Sequence, residues 1–119
     1  MNPEIIAYAR TLADEIRTAG VRNVTTKASA AVPPCVLVVP IPARVYDIAH
    51  GYTATWTVVA MAPAPGDERA AEQLDDMVNR IATVIPLESA DPSAWQIPGA
   101  DSPVPAYVCK YTTEVENHP

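Results

Sequence analysis

Glu114, Glu116 and His118 alternate near the end of the chain, so a strand there would turn all three to one face, where they could hold a metal ion. The competing reading, a charged and fraying segment, is preferred, because terminal stretches seldom hold ligands rigidly. Asp47 and His50 could form an acid–base pair. Three residues apart in a loop fixes no geometry, and no serine or cysteine nucleophile lies beside them, so a loop hydrogen bond or a contact between subunits is the reading taken. Cys35 is followed by Val36-Leu37-Val38-Val39, apolar company that raises a thiol's pKa and keeps it inert. Glu72, Asp75 and Asp76 offer carboxylates for proton transfer, yet on a helix they describe a solvated face, with Arg80 one turn from Asp76 and placed to pair with it. The four glycines (Gly20, Gly51, Gly66, Gly99) are isolated, so neither a phosphate loop nor a dinucleotide turn is possible. There is no Cys-x-x-Cys pair, no His-Glu-x-x-His helix and no basic–aromatic patch. The expectation is a domain with no catalytic site, no metal and no cofactor, hence not an enzyme.

The elements that would position these groups are easier to read. Asn2-Pro3-Glu4 is a helix start: a capping side chain, a proline whose missing N–H costs nothing there, and an acid at the positive end of the dipole. Ile5, Ala9, Leu12, Ala13 and Ile16 form its apolar stripe, Arg10 and Asp14 stand one turn apart outside, and Gly20 closes it. Val21–Ala28 reads as a first strand and Cys35–Val39 as a second, buried on both faces, with Pro40-Ile41-Pro42 ending it. Ala43–Gly51, carrying Arg44, Tyr46, Asp47 and His50, reads as a polar–aromatic loop long enough to project as a hairpin. From Tyr52 to Met61 the chain alternates, with Tyr52, Ala54, Trp56, Val58 and Ala60 on one face and Thr53, Thr55 and Thr57 on the other. Ala62-Pro63-Ala64-Pro65-Gly66 breaks this strand and Asp67 caps a helix with the stripe Leu74, Met77, Val78, Ile81, Val84 and Ile85. Pro86–Pro105 is loop-like around an apolar island, Trp95-Gln96-Ile97, which reads as a short strand or an anchor for the loop. A last strand spans Ala106–Val115, with Tyr107, Cys109, Tyr111 and Val115 on one face. The order α-β-β-β-α-β-β describes an α+β domain, a mainly antiparallel sheet of four to five strands with two helices on one face.

Bulk properties bound the rest. A length of 119 residues fits one domain, 1–119. Although 49% of residues are hydrophobic, apolar runs are strand length, and none approaches the ~20 residues of a membrane crossing. The acidic, helical start is unlike a secretory signal. Two cysteines inside strand patterns are expected to be buried reduced thiols, as in a protein that folds in a cytoplasm. Net charge is −6; through Gly66 five Lys/Arg face four Asp/Glu, and beyond it three face ten. Such an acidic excess disfavours sequence-independent attachment to DNA by phosphate neutralisation.

In the order of these elements the chain resembles the tail terminator proteins of long-tailed, non-contractile bacteriophages, also described as minor tail or head–tail joining proteins. The resemblance rests on helix Pro3–Ala19, strand Pro34–Pro40, strand Tyr52–Met61 with its central Trp56, helix Asp67–Ile85, the island Trp95-Gln96-Ile97 and the closing strand Pro105–Val115. It covers nearly the whole chain and includes no invariant motif. It implies a structural protein of the virion, at the neck of the tail, assembled in the host cytoplasm. Six copies would form a ring on the finished tail tube, end polymerisation of the tube protein and meet the head's connector or stopper protein. DNA would pass through the lumen without specific binding, and no membrane would be involved. An acidic excess suits such a channel, and a head-to-tail ring needs two different contact surfaces on each subunit. Arg44 and Tyr46, with Asp47 and His50, are the expected interface residues, since Arg and Tyr are enriched among interface anchors. Another neck component, a stopper or adaptor, fits the same features. A small-ligand module with a pocket near Trp56 and Trp95 is the alternative from a different class.

Overall fold

The computed structural model describes residues 3–47, 51–63 and 67–116. Two helices lie on one face of a six-stranded sheet. Helix α1 (Pro3–Thr18) is followed by β1 (Val24–Thr25), a 3₁₀ turn at Ala28–Ala30, β2 (Cys35–Val38), β3 (Ala43–Asp47) and β4 (Gly51–Met61); then come α2 (Glu68–Val84), β5 (Ser89–Trp95) and β6 (Val104–Glu116). The sheet runs β1-β2-β4-β6-β5, with β3 also on β4. Among the described residues β1 and β2 pair in parallel and the other ladders are antiparallel. The expected α+β class holds, with six strands instead of four or five. The extra strand is β3, inside the segment expected to be a loop. β1 is shorter than the expected strand Val21–Ala28, because Ala28–Ala30 coils into the 3₁₀ turn.

The long pairing of β4 with β6, unbroken from Gly51↔Glu116 to Met61↔Ala106, is the spine of the fold. Period-two alternation separates two cores across it. On the helix side, Ala54, Trp56, Val58, Ala60 and Cys109 meet Ile5, Ala9, Leu12, Ala13 and Ile16 of α1 and Ala70, Leu74, Met77 and Ile81 of α2, with Ile85 just beyond. On the other side Cys35, Leu37, Val59, Met61 and Ala106 are covered by Ala31 and Ile97 rather than by a helix. Val84, expected in the stripe of α2, is exposed: it sits in the last turn, at the margin of the stripe that Ile81 and Ile85 centre.

The helix ends follow their chemistry. The Asp67 carboxylate accepts the Ala70 N–H at 3.0 Å, as the sequence predicts. The Asn2 cap and residues 64–66 of the Pro/Gly break lie outside the described residues. Gly20, at φ +108°, ends α1, and Arg80 of α2 donates to the last carbonyl there, Ala19 O, at 3.2 Å while its Nε holds Asp76 at 2.9 Å. Asp14 is paired with Arg17 and not with Arg10, because Arg17 is already fixed by a 2.8 Å bond to Val24 O.

β2 and β3 are one line of chain along the same side of β4, interrupted by a double bulge. Val38 pairs with Val58 and Ala43 with Thr55, so residues 39–42 stand opposite Trp56 and Thr57 alone. Pro40 and Pro42 have no N–H to give a ladder, and the strand buckles where they fall. Trp95 ends β5, and Ile97 is a buried anchor beyond it. Pro92 is tolerated within β5 because that strand is the sheet's edge.

Candidate interaction surface

Beyond the bulge the sheet narrows to a three-stranded arm: β3, the first half of β4 and the last half of β6. Within it β3 packs chiefly on β4 and makes no substantial contact with either helix. The protein is accordingly drawn out to 51 × 30 × 22 Å. Because Arg44 pairs with Ala54 and Tyr46 with Tyr52, these side chains share the helix-side face of the arm. There the Arg44 guanidinium stands 5.0 Å over the Tyr52 ring and donates to the Tyr46 hydroxyl at 3.2 Å. The Tyr46 and Tyr52 ring centroids are 5.3 Å apart, tilted by 48°. The hydrogen bond to Tyr46 raises the Arg44 pKa further, so this side chain is a fixed cation. Cation, aromatic faces and hydroxyl are thus held together on one face of the arm.

Exposure sets this arm apart from ordinary surface. Tyr46 is 66% and Val45 71% exposed, on opposite faces of one short strand. Ile41, at 79%, adjoins them in the bulge. Large apolar side chains on an unpaired edge strand mark a contact surface.

Sequence reasoning picked Arg44 and Tyr46 by residue type, and the structure brings both together. It missed Val45 and Tyr52 as their companions. The signal was available: Ala43–Asp47 alternates and holds a Val and a Tyr, the pattern of a strand. Asp47 closes β3 opposite Gly51, and His50 lies outside the described residues, as does the acid–base pair they would form. His118 likewise lies outside them; for Glu114 and Glu116 only the strand position is described, and no metal-ligating group of three occurs among the described residues. Asp75 accepts from Asn79 and Asp76 from Arg80 on an exposed helix face. Trp56 and Trp95 belong to opposite cores across the sheet, so they do not line a common pocket. An open groove of about 410 Å³ runs between Gly20–Asn23 and α2, beside Arg80.

Both thiols are free and buried, as expected, and on opposite faces of the sheet. Burial pushes Cys109 up to about 11 and raises Cys35 as well. The fold therefore favours the neutral thiol. For Cys109 this stabilisation is complete below the ordinary thiol pKa of about 8.5 and disappears as pH rises toward about 11. A thiol-reactive chromogen at pH 8 should label the native protein at least about tenfold more slowly than the urea-unfolded chain, since the thiolate is the reactive form. Equal rates would show that the sheet opens readily.

Comparison of the chain with models of protein families, with curated proteins and with solved structures gives no match.

Proposed function

We propose that this protein is a ring-forming structural subunit of the neck of a long-tailed bacteriophage, a tail terminator that caps the tail tube. The observation that carries the reading is the arm, with Arg44, Tyr46 and Tyr52 preassembled on one face and Val45 on the other. Such an arm suits a protein whose work is contact with further copies of itself and with the tube and connector proteins. The order of elements that carries the resemblance accords with it, and the acidic balance suits a lumen that lets DNA slide.

Tails assembled with and without the protein, viewed by electron microscopy, test the role: overlong tubes in its absence identify a terminator. Tubes of normal length that fail to join heads would favour a stopper or adaptor. Arg44→Glu should lower the mass of the assembly seen by light scattering while leaving the circular dichroism of the subunit unchanged. The new carboxylate cannot stand as a cation over the Tyr52 ring or donate to the Tyr46 hydroxyl. Unaltered ring formation would remove Arg44 from the contact.

A further inference from the structure

Charge is divided along the chain. Residues 16–46 hold Arg17, Arg22, Lys27 and Arg44 and no Asp or Glu, whereas residues 81–109 hold Glu88, Asp91 and Asp101 and no Lys, Arg or His. The fold carries this division to opposite edges of the sheet, because the first stretch builds β1 and the second builds β5. Beside β1 the ion pairs Arg17–Asp14 and Arg80–Asp76 are closed, while exposed Arg22 and Lys27 have no acidic partner among the described residues. At β5, Asp91 and the preceding Glu88 are both exposed. The nearest cation by register, Lys110, lies one strand in, opposite Ser89, and donates to the Thr57 hydroxyl at 3.0 Å.

Both edges lie in the half of the sheet away from the arm. Asp91 and Pro92 fall in the rows of Thr25 and Val24, linked through Val108, Val59 and Leu37 and through Tyr107, Ala60 and Val36. Neither edge is open to a ladder there: Pro92 has no N–H to give, and the Val24 carbonyl already accepts Arg17 Nη2 at 2.8 Å. Contact at these edges is therefore made by side chains. Arg22 lines two open hollows, of about 410 and 290 Å³, and so has room to meet a carboxylate. We infer that the β1 edge, with Arg22 and Lys27, and the β5 edge, with Glu88 and Asp91, are the two unlike surfaces by which copies of this protein join head to tail. The occupant of each edge is a second copy, because the same chain carries the complementary charge on its opposite side, where one copy can use both edges at once. Two-fold pairing of like edges would set like charges against each other, which excludes it in favour of the head-to-tail contact. The twist that accumulates across the sheet turns one edge relative to the other, so successive copies rotate. The inference rests on the ring-subunit reading and adds to the arm a second contact between subunits.

Charge reversal in the full chain tests it. Arg22→Glu with Lys27→Glu leaves both edges acidic, and Glu88→Lys with Asp91→Lys leaves both edges basic. By light scattering, each double variant alone should assemble at least about tenfold more weakly than the wild type, since like charges then face each other. An equimolar mixture of the two should regain assembly, because the variants can alternate around the ring with opposite charges at every contact. All four side chains are exposed, so the circular dichroism of each variant should be unchanged. Should loss of the Thr112 hydroxyl bond to Glu88 disturb folding, Asp91→Lys with Asp101→Lys takes the place of the second variant. Wild-type assembly by either variant alone would overturn the inference and leave the ring-subunit reading standing, as would weakened variants whose mixture stays weak. A wild type that is monomeric both free and with tail tubes would remove that reading, and this contact with it.

Discussion

Trp56→Ala should lower the unfolding free energy by about 3–5 kcal/mol, the range for deleting a buried aromatic ring. Trp56 is 2% exposed at the middle of β4, where helix α1 crosses the sheet. Its ring lies 5.1 Å from that of Tyr8, and its indole N–H donates to the Thr113 hydroxyl at 3.2 Å. Tyr8 in turn shares a 3.0 Å hydroxyl–hydroxyl bond with Tyr111, which is paired with Trp56 across the ladder. One indole therefore ties α1, β4 and β6 together. Removing it opens a cavity between layers whose separation the remaining side chains fix, so the site cannot collapse fully. Trp56→Phe should cost less than half as much: it keeps most of the apolar surface, and half-buried Thr113 can turn to water. Trp95→Ala, in the smaller core and half-buried, should also cost less. Urea unfolding followed by circular dichroism separates the three. A Trp56→Ala loss under about 1.5 kcal/mol would mean that the helix is not held by this ring.

The same residues show why one half of the fold was readable in the sequence and the other was not. The stripe of α1 and the faces of β4 repeat with the period of their elements, and nothing in the tertiary structure overrides them: Ile5, Ala9, Leu12, Ala13 and Ile16 are all buried, as are Ala54, Trp56, Val58 and Ala60. Periodicity reports burial against a neighbour. Among the described residues β3 has no substantial neighbour of this kind, so its Arg, Tyr and Asp read as loop composition, although they alternate. What makes it a strand is the ladder to β4, a non-local partner that composition cannot announce. β5 was hidden for a related reason: Asp91 and Pro92 are poor strand formers and are tolerated only at an edge. The exposed arm is thus the part of the molecule that local pattern describes least. Residue type alone pointed to Arg44 and Tyr46; the cross-strand pair Tyr46↔Tyr52 required the register.

Gly20→Ala is the second large effect, about 2–4 kcal/mol, and it has two separable sources. At φ +108° an alanine is strained whatever surrounds it, a cost of about 1–3 kcal/mol. The new methyl would also collide with the Arg80 guanidinium, whose Nη1 then gives up its bond to Ala19 O. That bond is the tie by which α2 caps the C-terminal end of α1 and complements its dipole, worth about 1 kcal/mol at an exposed site. Because a flexible arginine tip can move aside, the collision should appear as loss of this tie rather than as distortion of the backbone. A double-mutant cycle resolves the two parts. Arg80→Ala alone should cost about 1 kcal/mol. In that background Gly20→Ala should cost only the strain, so the paired loss falls short of the sum by about the energy of the Arg80 tie. Strict additivity would show that Arg80 does not hold α1 in solution. If Gly20→Ala is itself neutral, α1 ends without the left-handed turn.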